Sequence, residues 1–246
     1  NYQVHPENYI YAMEGHSFET PALSELSNSP DGAGGFNKNL SPQLANHFEL
    51  GYKRILGKWF IQLTGFHIDL KNELLPYELE GFPGRTFYRN AGKSRRNGLE
   101  LAVNGKLVTN LRLLASYTYS DFQFEEYDAD GEDLKGNFVS GIPKQFGNLG
   151  LFYEKKHGAF VGLDYAVTGE MFADDKNTVV TDAYGLVHLR GGWNFVFNQT
   201  ELKVHAGVRN LTNRAYFDNL RINAFGGRYY EPAPGRNYFG GFTLIF

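Results

Sequence analysis

The chain has 246 residues, no cysteine, 24 Lys plus Arg against 27 Asp plus Glu, and a formal net charge of -3. The missing cysteine excludes disulfide scaffolds, thiolate zinc sites and cysteine nucleophiles, and the near-balanced charge leaves no basic footprint for nucleic acid. No run approaches the roughly 18 apolar residues of a membrane helix, but a membrane β-barrel escapes that test because its strands are short and alternate in polarity.

Aromatic residues make up 16% of the chain and glycine contributes 29 positions, a composition of strands and turns and not of helices. Alternation with a period of two predicts about ten strands. They lie near residues 8–18, 44–55, 58–70, 86–103, 108–120, 143–154, 158–169, 183–197, 200–211 and 236–246. The connections alternate between short and long. Leu56–Gly57, Asn104–Gly105–Lys106, Lys155–Lys156–His157 and Asn198–Gln199 are short, and Asn104–Gly105 reads as a type I′ hairpin turn. Glu19–Gln43, Lys71–Arg85, Asp121–Ile142, Glu170–Asp182 and Asn213–Gly235 are long. Tight periplasmic turns and long extracellular loops are the rule of outer-membrane barrels.

The two faces differ in the same sense along the chain. Leu111, Leu113, Ala115, Tyr117 and Tyr119 share one face of their strand; Val187, Leu189, Trp193 and Phe195 do so on another, and Leu202, Val204, Ala206 and Val208 on a third. Arg112, Arg190, Lys203 and Arg209 fall on the opposite parity. A cation on the lipid face costs about 2–4 kcal/mol at mid-bilayer, so this polar face is assigned to the lumen and the apolar one to lipid. Arg54 and Arg95 share the apolar parity and are expected near the interfaces, where long side chains snorkel. In the alternative of a water-soluble sheet, the apolar face would cover a core. At the end of the sequence Tyr238, Gly240, Phe242, Leu244 and Phe246 follow one another at steps of two, an apolar stripe running into a terminal aromatic.

Five sequence boxes carry a resemblance. Phe18–Glu19–Thr20–Pro21–Ala22–Leu23–Ser24–Glu25–Leu26 resembles a Phe-Arg-Ala-Pro box with its trailing Glu-Leu, with Glu19 in the place of Arg. Asn39–Leu40–Ser41–Pro42–Gln43 followed by Phe48–Glu49–Leu50–Gly51–Tyr52–Lys53, and Arg89–Asn90–Ala91–Gly92–Lys93 followed by Asn97–Gly98–Leu99–Glu100–Leu101, match the next two. Gly207 to Tyr216 resembles the penultimate strand and its exit, and Tyr229 to Tyr238 resembles the approach to the last strand. In this order the boxes are similar to the C-terminal part of TonB-dependent outer-membrane receptors of the siderophore receptor family. The resemblance implies an all-β, antiparallel transmembrane barrel segment: about ten strands of a barrel of about 22. Residues 1–246 would form one C-terminal barrel portion, with the plug domain and TonB box not visible in them. Such a segment is not expected to form a stable transporter alone.

The implied function is uptake across the outer membrane of a Gram-negative bacterium. The ligand would be a scarce metal complex, a ferric siderophore or ferric citrate. Implied partners are that iron complex, TonB through segments outside these residues, outer-membrane lipid and lipopolysaccharide, and the barrel assembly machinery, which would read Tyr238, Phe242, Leu244 and Phe246. No cofactor and no catalytic residue is expected.

Capture of a bulky anionic complex calls for Arg as charge, Tyr for stacking and hydroxyl bonds, and Asn for adaptable hydrogen bonds. The last long loop is richest in these, with Arg214, Tyr216, Arg221, Asn223, Arg228, Tyr229 and Tyr230; the loop with Tyr77, Arg85 and Tyr88 comes next. For any single one of these residues, ordinary loop solvation or an interfacial tyrosine is the better reading. The seven histidines show no metal-binding spacing. The stretch Glu19–Asn46 holds no histidine, which lowers the standing of haem as cargo; vitamin B12 and sugars stay open. The rival class is a self-contained small barrel, a porin or a rim-site protease or lipase. For that class Asp174–Asp175 would be the acidic pair, although Ala-Asp-Asp-Lys-Asn reads more simply as a solvated loop tip.

Overall fold

The computed structural model describes residues 1–31 and 35–246; residues 32–34, within the predicted loop Glu19–Gln43, lie outside the described residues. The elements in chain order are β1 (Tyr2–His5), β2 (Asn8–Glu19), a single helical turn α1 (Leu23–Leu26), β3 (Gln43–Leu56), β4 (Trp59–Glu78), β5 (Thr86–Val108) and β6 (Leu111–Glu126). They continue with β7 (Asp128–Ala129), β8 (Glu132–Asp133), β9 (Gln145–Glu154), β10 (Gly158–Thr168), β11 (Met171–Phe172), β12 (Val180–Thr181), β13 (Tyr184–Phe197) and β14 (Thr200–Arg209). β15 (Phe217–Leu220), β16 (Tyr230–Pro232) and β17 (Asn237–Ile245) close the order. Among the described residues no helix is long and apolar enough to cross a membrane.

Among the described residues eleven strands form one sheet in the order β1-β2-β3-β4-β5-β6-β9-β10-β13-β14-β17, with β1 and β17 at its open edges. Every pair is antiparallel, and each wall strand pairs with the next wall strand in sequence. This is an up-and-down wall, as the alternating connections require. Three two-stranded ribbons, β7–β8, β11–β12 and β15–β16, stand on the long loops.

The register settles the faces. Leu63, Leu101 and Tyr117 are cross-strand partners on one face, as are Leu151, Leu163, Leu189, Val208 and Tyr238. This face keeps its large apolar side chains exposed, with Leu50 at 63% and Phe242 at 75%. Phe242 and Leu244 pair with Val204 and Leu202, so the C-terminal stripe lies on this apolar face. The other face carries Arg112, Phe152, Gly162 and Arg190 on a single rung. There the guanidiniums of Arg112 and Arg190 sit 5.8 and 5.3 Å from the Phe152 ring centre, and Arg209 sits 5.4 Å from that of Phe239. Arg54 is opposite Ile61, close to the short turn, and Arg95 is opposite Asp69 and Gln123 toward the long loops. Both arginines therefore stand at the ends of the apolar face. On the polar face some rings occupy the space beside a glycine of the neighbouring strand. A Cβ on Gly207 would come within 2.4 Å of the Phe239 ring, and one on Gly98 within 2.2 Å of Phe66.

Three expectations need correction. The sheet has eleven strands where the alternation suggested about ten, because Tyr2–His5 adds an edge strand too short to show a period. Asn104–Gly105–Lys106 is not a turn: it lies inside β5, where Gly105 pairs with Trp59 and leaves room for its ring. The β5–β6 reversal occurs at Thr109–Asn110, with Asn110 in the left-handed region at φ 65°. Asparagine tolerates this backbone because its short amide bonds locally. Finally, β4, β5 and β6 run well beyond their predicted ends. Asn72 at φ 57° interrupts β4. Strict alternation from Leu70 would then turn Glu73 to the face away from Ser94, yet Glu73 is buried and bonded to both Ser94 and Arg96.

Candidate functional site

Above the wall, the extended ends of β4, β5 and β6 pack with the loops into a cap. Its core is Leu75, Ala91, Phe124, Tyr127, Ala129, Leu134 and Val139, all buried. The Asp130–Gly131 pair turns the β7–β8 ribbon, both residues at positive φ (58° and 82°). That folds Leu134 back onto the cluster, with the Leu134 amide donating to the Tyr127 carbonyl at 2.9 Å.

A polar hub joins the loops. The carboxylate of Asp175, 2% exposed, accepts from Ser140 Oγ, from Asn223 Nδ2 at 2.8 Å and from the Tyr127 hydroxyl at 3.3 Å. The Asp175 amide donates to Asn223 Oδ1 at 2.9 Å, and its carbonyl accepts from Asn137 Nδ2 at 2.9 Å. Asn223, at φ 53°, also donates from Nδ2 to the Pro76 carbonyl at 3.0 Å, and its backbone amide to the Ala173 carbonyl at 3.0 Å. Four segments distant in sequence meet at these two side chains. Burial raises the Asp175 carboxyl above its ordinary value, against the lowering effect of its hydrogen-bond donors. The Tyr127 hydroxyl is raised as well, by burial and by the adjacent carboxylate. Asp174 accepts from Thr178 Oγ1 at 2.6 Å and from the amides of Thr178 and Val179 at 3.0 and 2.9 Å, which closes its turn. The solvated-tip reading of Asp174–Asp175 is thus wrong: both are buried. The cause is long-range packing that loop composition does not reveal.

Beside the hub lies a cavity of about 270 Å³, lined among others by Tyr77, Glu78, Arg89, Tyr127, Asp130, Lys176 and Tyr229. Arg89 lies with its guanidinium 4.1 Å from the Tyr77 ring centre. It reaches Asp130 with both terminal nitrogens, at 3.2 and 3.4 Å. Lys176 pairs with Glu132. Burial and the nearby Asp174 raise the Tyr229 hydroxyl. Such a lining offers ring faces, phenolic hydroxyls and paired charges; it can stack on, and hydrogen-bond to, a bulky polar guest.

Of the residues singled out in the sequence, Tyr77, Asn223 and Tyr229 line this cavity. Arg228 stands next to it, donating to Glu78 at 2.9 Å and to the Phe225 carbonyl at 3.2 Å. Arg221 is 3.7 Å from Glu231, and Tyr230 stacks on Phe217 at 4.5 Å, both in the β15–β16 ribbon. Arg85 donates to Asn28 at 2.8 Å and lies over Phe82 and Phe87. Tyr88 follows Phe87 in the strand and so faces the other way. Tyr216 packs on Tyr184 at 4.8 Å. Four cap residues escaped the sequence reading: Arg89, Tyr127, Asp130 and Lys176. The Asp-Gly pair at 130–131 was a usable hairpin signal; nothing local marked the other three.

Comparison with known proteins gives this architecture its family. The family model described as TonB dependent receptor-like, beta-barrel, matches residues 1–211. The metal-pseudopaline receptor CntO of Pseudomonas aeruginosa is 28% identical, over 100% of this chain and 32% of its own length. The probable TonB-dependent siderophore receptor PiuA of Acinetobacter baumannii is 25% identical, over 82% of this chain and 27% of its own. The solved structure of the ferric citrate transporter FecA, unliganded form, superposes with a TM-score of 0.76 at 23% identity, covering 99% of this chain and 37% of that one. The chain therefore spans about a third of the length of the curated relatives it matches. Family model, strand order and long-loop cap agree: the chain belongs to the β-barrel family of TonB-dependent receptors, transport receptors of the Gram-negative outer membrane.

Proposed function

We propose that this chain is the C-terminal barrel portion of a receptor that takes up a scarce metal complex, a ferric siderophore first and ferric citrate second, with no catalytic step. The observation that carries this reading is the tyrosine-lined cavity at the long-loop end, with Tyr77, Tyr127 and Tyr229 gathered beside Arg89. CntO is a metal-pseudopaline receptor and PiuA a probable siderophore receptor, which supports a metal complex as cargo. In this reading the apolar face meets lipid, with the headgroups and lipopolysaccharide near Arg95. Energy from TonB enters through parts of the protein outside these residues, and the stripe Tyr238, Phe242, Leu244 and Phe246 is read by the barrel assembly machinery.

The test uses the intact receptor. Intrinsic tryptophan fluorescence is titrated with a panel of ferric siderophores and ferric citrate, and uptake of the best binder is followed in iron-starved cells. Tyr229→Ala and Arg228→Ala should each weaken binding about tenfold, equivalent to about 1.4 kcal/mol. If no complex in the panel binds, or both variants bind and import the best complex unchanged, the assignment fails.

A further inference from the structure

Going beyond that reading, we propose that the polar face of the last wall strands docks an acidic stretch of the intact receptor, from outside residues 1–246, on a fork made by Arg112, Phe152 and Arg190. The inference does not depend on which complex is carried. It starts from how this chain uses its arginines. Arg89, Arg95, Arg96, Arg221 and Arg228 each form an ion pair with a carboxylate of this chain. Arg112, Arg190 and Arg209 are exposed, and among the described residues none of them forms an ion pair. On this part of the polar face Lys106, Arg112, Arg190, Lys203 and Arg209 stand against Glu154, Asp164 and Glu201. Lys203 and Glu201 approach to 3.6 Å. Setting that pair aside leaves four cations to two acids, and neither of those acids pairs with a guanidinium.

Arg112 and Arg190 both lie against the ring of Phe152, at 5.8 and 5.3 Å from its centre. Contact with a ring leaves the N–H groups of a guanidinium free, and these match a carboxylate in pairs. Two cations on one ring repel each other until a negative charge joins them. Beside the fork lies a hollow of about 300 Å³, lined among others by Arg112, Glu154, Arg190, Asn194, Lys203 and His205. That is the share of about ten waters, room for one or two amino-acid side chains and too little for a bulky metal complex. Asn194 is 7% exposed, and its Oδ1 has no hydrogen-bond partner. A buried acceptor without a donor costs stability. A peptide brings both groups that the hollow lacks, a carboxylate for the fork and a backbone N–H for Asn194. A free inorganic anion brings only the charge. This chain spans about a third of the length of its relatives, so receptors of this kind have ample further polypeptide to supply the stretch.

The experiment uses the intact receptor in detergent. Arg112→Lys and, separately, Arg190→Lys keep the charge and place a primary amine at the fork. A water-soluble carbodiimide then joins that amine to any carboxylate in contact with it, and peptide mapping by mass spectrometry identifies the partner. The native Lys203–Glu201 pair is the internal control for entry of the reagent. The expected result is a new link from position 112 or 190 to an Asp or Glu outside residues 1–246. Links only to Glu154 or Asp164, or none from either variant, overturn the inference. Thermal unfolding gives a second readout. The double variant Arg112→Gln with Arg190→Gln should unfold at least about 2 °C lower than the unaltered receptor. Inorganic phosphate should stabilise neither protein relative to chloride at equal ionic strength. An unchanged midpoint in the double variant overturns the docking. So does stabilisation by phosphate that the double variant abolishes, since the fork would then be open to a free anion. None of these outcomes bears on the ferric panel, so uptake of a metal complex stands or falls separately.

Discussion

The wall and the cap of this sheet hold their residues by different means. In the wall, large side chains stand exposed along the apolar face, and neighbouring strands are joined by continuous backbone ladders. In the cap, Phe87 and Phe124 are fully buried, and side chains from separate loops bond one another through Asp175 and Asn223. A wall of this kind tolerates many side chains provided polarity alternates. A cap depends on particular partners, so single substitutions there should be felt further from their own position.

That contrast can be broken at its strongest point first. At the junction of cap and wall, Glu73 is buried and bonded to Arg96 and Ser94. Arg96→Ala strands a buried carboxylate and should cost about 3–5 kcal/mol; urea unfolding of the intact receptor in detergent measures it, and a loss under about 1 kcal/mol would show the pair to be dispensable. Next, Leu163→Arg, on the apolar face, should cost about 2–4 kcal/mol in a lipid bilayer. The same change at Asp164, on the opposite face, should cost far less; equal costs would mean that the faces are exchanged.

The hub offers a sharper and smaller test. Because burial raises the Asp175 carboxyl, the folded cap binds a proton there more tightly than the opened cap does. The contribution of this group is therefore complete below the ordinary carboxylate value of 3.8 and is lost as pH rises through the raised value. Protection of the loop amides, taken relative to the intrinsic exchange rate at each pH, should be greater in mild acid than at neutral pH, and Asp175→Asn should flatten that slope. A slope of the opposite sign would contradict the burial argument. The smallest effect separates two asparagines. Asn110→Ala forces alanine into the left-handed region and should cost about 1 kcal/mol, whereas Asn104→Ala, inside β5, should stay within about 0.5 kcal/mol. Thermal unfolding of the two variants distinguishes them.

The same division explains what could be read from residues alone. Period two announces a wall strand because one face must be apolar and the other polar, so Leu189 against Arg190 or Val204 against Lys203 is a local signal. The turn at Asn110 was misplaced because Asn104–Gly105 offers a stronger hairpin motif. Only the Trp59 ring across the strand shows why glycine stands there. In the cap the period is lost at Asn72, and the partners of Asp175 lie 35 to 48 residues away. Glu78 and Arg228 are 150 residues apart. Composition of a loop can say that arginine and tyrosine are present; it cannot say that Arg89, Arg221 and Arg228 already have carboxylates.

The rings beside Gly98 and Gly207 have a consequence for the relief of the polar face. A Cβ at either glycine would collide with the ring, so each phenylalanine fills a notch that its neighbour leaves open. At those rungs two strands share one side chain's worth of surface, and the polar face carries fewer projections there.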